Sequence, residues 1–232
     1  MIKLLPLLVL GLGFYVFLRF AALSSGSALR ARSRPLSHDT LEAIVQRLAH
    51  AAGIEQVEVR VLEDPIINGV ATPDGGIYVT AGLLQRHREG ALTAPEVGSV
   101  VAHELGHLAL GHTRRRMIEI SSAQTASVLL GGLLARVIPF IGWYLAQMLI
   151  SLFVSRLSRR DEFEADAYAT ALMLRSGLGH EPQASMLEKL ERLVPGARLQ
   201  AGASWLASHP PVQDRAAAIR ENARRWQEGA GS

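Results

Sequence analysis

The strongest constraint on this chain is a polar motif set inside an apolar helix. In Val100-Val-Ala-His-Glu-Leu-Gly-His-Leu-Ala-Leu-Gly-His112, two histidines and a glutamate lie among apolar and small residues. Upstream, Thr93 and Glu96 form a capping box with Pro95 in the first turn, so a helix opens there and runs through His107 to about Gly111. Residues four apart share a helix face, which puts His103 and His107 side by side. Buried imidazoles and a carboxylate need partners, and this helix offers none of its own.

A divalent metal ion supplies such a partner. Zinc favours imidazole nitrogen and lowers the pKa of a coordinated water to about 7, where a neighbouring carboxylate can take its proton. His103, Glu104 and His107 have the His-Glu-x-x-His spacing for that chemistry. His112 lies about 140° around a continuous helix from His107 and reads as a capping or packing residue. A catalytic zinc also needs a third protein ligand. No third histidine follows at short spacing: after His107 come Leu-Ala-Leu-Gly-His-Thr. The remaining donors are carboxylates in Asp161-Glu-Phe-Glu-Ala-Asp166. Glu162 and Asp166 are four apart and share a face, whereas Glu164 points elsewhere. Read alone, this run could be a solvated acidic face paired with Arg156, Arg159 and Arg160. Beside a site with two histidines and no third ligand, Glu162 is the favoured donor.

Composition bounds the setting. The 232 residues suit one globular domain with extra segments. Hydrophobic residues reach 49% and charged residues only 19%, a balance that points to a membrane. There is no cysteine, which excludes disulfides, thiolate-bound zinc, thiol catalysis and a lipidated cysteine. Arginines cluster at 30–34, 114–116 and 156–160, each beside an apolar segment. No aromatic residue stands between them to stack a base, so they read as positive flanks of membrane segments and not as a nucleic-acid site. Leu4 to Leu18 is uncharged, and residues 1–29 read as an N-terminal membrane anchor. A cleaved signal peptide is the alternative, with Arg19 and Phe20 interrupting the approach to a cleavage site. Residues 30–37 are a basic linker, and 38–232 form the domain.

Within that domain, Asp39 and Glu42 open a helix over about 40–52, closed by Gly53. Val57 to Leu62 alternates as a strand should, and Pro73-Asp-Gly-Gly76 turns between two further short strands. Residues 120–155 are uncharged apart from Arg136, with a turn near Pro139 and Gly142. Each uncharged arm is about 20–24 Å long as helix, short of the roughly 30 Å hydrocarbon core. Because His103, His107 and Glu162 must meet at one ion, this apolar hairpin crosses a bilayer twice or not at all. A shallow or re-entrant hairpin therefore competes with two true crossings, and a hairpin packed in a soluble core is a further alternative. A helix from 156 to about 175 follows, then an amphipathic segment over 182–193 and a last polar helix to about Gln227.

Four blocks, in order, resemble the HtpX-type integral-membrane zinc metalloproteases, gluzincins related to the CAAX prenyl endoproteases and the Oma-type proteases. They are Asn68 to Leu84, His103 to His107, Ser158 to Asp166, and Ser208-His-Pro-Pro211 with Arg215. One apolar segment precedes them here where that family usually has two. The resemblance implies an α+β, mostly helical zincin-like domain with a small β-sheet, holding one zinc on His103, His107 and Glu162. It implies Glu104 as general base, Asp166 as the residue orienting a ligand histidine, and His209 as an oxyanion stabiliser. It makes Ile77, Tyr78, Val79 and Thr80 an edge strand on which an extended polypeptide substrate pairs. It also implies misfolded membrane proteins as substrates, lipid bilayer as surroundings, and a bacterial inner membrane with the catalytic domain in the cytoplasm. A periplasmic-facing or secreted protease, and a silent chaperone or scaffold of the same fold, are the competing expectations.

Overall fold

A computed structural model describes residues 26–139, 141–193 and 210–229. Residues 1–25 of the anchor expected over 1–29, and His209, lie outside the described residues. The chain is mostly helical around one small mixed sheet, as expected for an α+β domain.

Helix α1 (Asp39–Ala52) buries Leu41, Ile44, Val45 and Leu48, one stripe at helical spacing. Its start differs from the expected cap at Asp39. His38 is the N-cap residue and Asp39 is already helical, although Glu42 does accept from the His38 amide at 3.1 Å. Gly53, at φ +71°, ends the helix, and the Gly53 and Ile54 amides return to the His50 and Ala49 carbonyls.

The sheet joins β1 (Ser33–Pro35), β2 (Val59–Leu62), β3 (Gly69–Ala71) and β4 (Ile77–Thr80) in the order β1-β2-β4-β3. Strand β4 runs parallel to β2 and antiparallel to β3. The expectation that Ile77 to Thr80 form an edge is therefore wrong. All four residues are buried and have strands on both sides, and the outer strand is β3. The sequence hid this because the crossover that slots β4 between β2 and β3 leaves no local signal. Short helix α2 (Ala81–Arg88) follows, with Thr80 as its N-cap.

Helix α3 (Ala94–Ala109) starts as its sequence requires, with Thr93 and Glu96 exchanging both bonds of the capping box and Pro95 in the first turn. It crosses the centre of the domain, and Val97, Val101, Ala102 and Leu105 join Leu48, Val61, Leu83 and Met173 in the core. Helices α4 (His112–Val137) and α5 (Gly142–Arg175) form the hairpin, with its turn where expected. Helix α5 is longer than the sequence reading allowed. It runs unbroken through the arginine cluster into the acidic run, since no Gly or Pro interrupts residues 143–176 and charge alone does not end a helix. The arms close tightly where Gly131 meets the Trp143 ring and Gly142 meets the backbone of Leu134. Among the described residues, no helix is long and apolar enough to cross a membrane. Helices α6 (Glu181–Leu193) and α7 (Val212–Gly229) pack on each other through Leu187, Val212 and Ile219.

Candidate metal centre

Three helices build the site. Gly106 lets α3 and α5 touch backbone to backbone: a Cβ there would lie 2.9 Å from the Ala165 carbonyl oxygen. This close approach brings His103 and His107 of α3 against Glu162 and Asp166 of α5. Helix α7 adds Arg215, fully buried.

The donor atoms converge. His103 Nε2 lies 3.1 Å from His107 Nε2 and 3.3 Å from Glu162 Oε2, and His107 Nε2 lies 3.5 Å from Glu162 Oε1. A four-coordinate ion with bonds of about 2.0–2.1 Å holds its donors about 3.3–3.4 Å apart. The three groups therefore fit one zinc-sized ion, and all three are buried. Glu104, on the same helix, is also buried. A cleft beside it is lined by Asn68, Gly69, Val100, Met186 and Leu190.

The surrounding charges are ordered in series. Arg215 grips Asp166 in two bonds, Nε to Oδ2 at 2.6 Å and Nη2 to Oδ1 at 2.8 Å. Asp166 Oδ1 in turn lies 3.0 Å from His103 Nδ1. Arg215 Nη1 is 3.6 Å from Glu162 Oε2, and Arg116 Nη2 is 3.4 Å from Glu162 Oε1. Burial opposes ionisation of Asp166, but the Arg215 guanidinium outweighs it and holds the carboxyl down at about 2. Burial alone would lower His103, yet its bonds to Asp166 and Glu162 raise it to about 9. Burial and the neighbouring His103 charge push His107 down to about 3. Burial, reinforced by Glu162, pushes Glu104 up to about 7, against the pull of His103. A carboxyl poised near neutral pH is suited to taking a proton and returning it.

The structure thus brings together His103, Glu104, His107, Glu162 and Asp166, and leaves Ile77 to Thr80 inside the sheet. It also places two residues whose part the sequence reading missed. Nothing local in the sequence gives Arg215 a task; only long-range packing puts it against Asp166. His112 was placed off the ligand face on the assumption of a continuous helix. Gly111, at φ +70°, breaks that helix, and α4 starts in a new direction that turns His112 back onto His107. Their Nδ1 atoms are 3.1 Å apart, and His112 Nε2 is 3.2 Å from Glu164 Oε2.

A helix-borne His-Glu-x-x-His pair, met by a glutamate from a second helix, is the arrangement of a metallopeptidase. The chain belongs to peptidase family M48, whose model matches residues 35–223. It is similar to Metalloprotease LoiP of Escherichia coli K12, at 29% identity over 184 residues, covering 78% of this chain and 68% of that protein. It is also similar to Protease HtpX of Pseudomonas aeruginosa LESB58, at 30% over 242 residues, covering 88% of this chain and 79% of that protein. Protease HtpX of Nitrosococcus oceani is 28% identical over 232 residues, covering 84% and 75%. Metalloprotease activity and an HtpX-type family place follow from these matches.

Proposed function

We propose that the chain is a zinc-dependent endopeptidase in which His103, His107 and Glu162 hold one zinc and Glu104 moves the proton. The observation that carries this reading is the spacing of the three donors, 3.1, 3.3 and 3.5 Å, close to that of a tetrahedral zinc shell. Bound there, zinc would polarise the scissile carbonyl and acidify water. Glu104 accepts the proton from the attacking water and delivers it to the leaving amine. Asp166, fixed by Arg215, holds His103 by its Nδ1–H so that Nε2 faces the ion. His209, outside the described residues, would serve as oxyanion donor, a role that rests on the family resemblance alone.

The extended substrate pairs along β3, the outer strand, and not along Ile77 to Thr80. Gly69 supports this placement, since a Cβ there would lie 2.6 Å from the Val100 side chain and 3.1 Å from Glu104 Cγ. A backbone bound along this strand would therefore run past the catalytic carboxylate.

The same proposal divides the chain into an anchor (1–29) and the protease domain (38–232), and the segment expected as a basic linker (30–37) adds strand β1 to the sheet of that domain. The hairpin over 120–155 rests in or on a bilayer. Arginines at both of its ends support a cytoplasmic active site at the bacterial inner membrane, with misfolded membrane proteins as substrates.

The test is cleavage of an unfolded model protein by detergent-purified wild type and Glu104→Gln, with zinc assayed on both. The expected result is one zinc per chain in both samples and a loss of about 10²–10⁴-fold in rate in the variant. Zinc absent from wild type after reconstitution would sink the reading.

A further inference from the structure

His112 is buried, it belongs to no motif the proposed function uses, and both its ring nitrogens are engaged. Nδ1 faces His107 Nδ1 at 3.1 Å, and Nε2 faces Glu164 Oε2 at 3.2 Å, with Asp161 Oδ1 at 3.9 Å. Glu164 is a carboxylate held by Arg160 Nε at 2.7 Å, and Asp161 is paired with Arg115.

With the proposed zinc on His107 Nε2 and both rings neutral, counting protons leaves one consistent arrangement. An ionised carboxylate only accepts, so His112 Nε2 carries the hydrogen given to Glu164. A neutral imidazole has one N–H, so His112 Nδ1 is bare and accepts. The hydrogen between the two rings then sits on His107 Nδ1. That leaves the Nε2 lone pair of His107 directed at His103 Nε2 and Glu162, where the proposed zinc ligands meet.

We infer that His112 is the positioning residue for His107, with Glu164 fixing the His112 tautomer and His112 in turn fixing the metal-binding tautomer and ring angle of His107. The inference rests on the zinc triad proposed above. The two ligand histidines are thereby held by different means. His103 is held by a buried carboxylate, Asp166, and His107 by a neutral imidazole. A neutral acceptor adds no second full negative charge beside Glu162, so the site keeps its charge balance with Arg215 and Arg116.

His112, Asp161 and Glu164 also have the spacing of a second cation site. Proton counting argues against it. A cation on His112 Nε2 would leave the hydrogen on His112 Nδ1, and His107 would then need a bare Nδ1 and a zinc-facing Nε2 together. That is an imidazolate, which neutral pH does not supply unaided.

The test compares full-length wild type, His112→Phe and His112→Asn by zinc affinity, using competition with a chromophoric chelator, and by zinc stoichiometry. Phenylalanine keeps ring volume and removes the acceptor. Asparagine sets its Oδ1 where Nδ1 stood. Expected are one zinc on each protein, about 10–100-fold weaker affinity in His112→Phe, and most of that loss recovered in His112→Asn. Wild-type affinity in His112→Phe, or no recovery in His112→Asn, overturns the inference while leaving the triad intact. A second zinc on wild type that Glu164→Gln removes overturns it in favour of the cation site. Absence of zinc from wild type overturns inference and triad together. Nitrogen-15 NMR of zinc-bound wild type gives a reading that needs no variant to fold. Hydrogen on His112 Nε2 is expected, and hydrogen on Nδ1 overturns it.

Discussion

The two ends of helix α5 reverse the usual relation of a protein to water. From Asp161 onward the helix buries charge: Asp161, Glu162 and Asp166 are each 3% exposed or less, beside fully buried Arg215. Near its start, and along the facing part of α4, the molecule exposes hydrocarbon instead. Leu129 is 70% exposed, Val137 72% and Tyr144 74%. Buried charge without partners costs several kcal/mol, and an exposed contiguous apolar patch marks a contact surface. Neither end is arranged for stability in water. One end has the donors to hold an ion, and the other has the exposed apolar side chains of a contact surface.

The largest stability effect should come from breaking the buried end. Arg215→Met leaves Asp166 buried and short of its counter-charge. A loss of about 3–5 kcal/mol is expected, read by urea unfolding of the zinc-free protein. A cost near zero would mean that water already reaches the cluster, and the contrast with the hairpin would fail.

Gly106→Ala probes the packing that makes the cluster possible. Its Cβ would press on the Ala165 backbone at 2.9–3.1 Å, and backbone cannot swing aside as a long side chain can. We expect a loss of about 1–3 kcal/mol. Zinc affinity should fall with it, because α3 and α5 must separate and the ligands ride on both. Unchanged zinc binding in the variant would show that the ligand geometry does not depend on this contact.

Sequence made the local parts of this site legible and left the long-range parts obscure. The capping box at Thr93 and Glu96 fixed the helix, and the helix fixed which residues share a face, so His103 and His107 could be paired from spacing alone. Glu162 was found by the need for a third donor and by family resemblance. Gly106 carried no message by itself, because only its partner Ala165, distant in sequence, gives it meaning. His112 was misplaced by a single backbone angle at Gly111. Strand β4 was placed at the edge because order within a sheet depends on crossovers, while sequence patterns report only alternation.

A smaller effect separates structural charge from site charge. Glu96 caps α3 and also binds Ser185 Oγ at 2.6 Å and Lys189 Nζ at 2.8 Å on α6. Burial works against its ionisation, but Lys189, Ser185 and the Thr93 amide outweigh it and hold its pKa below the ordinary value. Its folded-state pKa is thus below the unfolded one. The stability it adds is complete above about pH 4.3 and is lost as pH falls through the folded value. In zinc-free protein, Glu96→Gln should flatten the fall of Tm with acid in that window. An unchanged slope would assign the acid sensitivity to the metal-site carboxylates instead.

The smallest stability effect is expected at the exposed end, and it is the most telling about what surrounds the protein. If the hairpin exposes its apolar face to something other than water, that face contributes little to folding. Leu133, 59% exposed, and Tyr144 should then tolerate serine within about 0.5 kcal/mol in detergent. The same face should meet lipid. Trp143, 42% exposed near the hairpin turn, should be quenched by brominated lipids in reconstituted vesicles, and that share of quenching should vanish in Trp143→Phe. An anchor elsewhere in the chain cannot mimic this, since the readout belongs to one ring. Serine costs above about 1 kcal/mol, together with no Trp143-dependent quenching, would place the hairpin against protein. The two ends of α5 would then both be interior, and the contrast between them would dissolve.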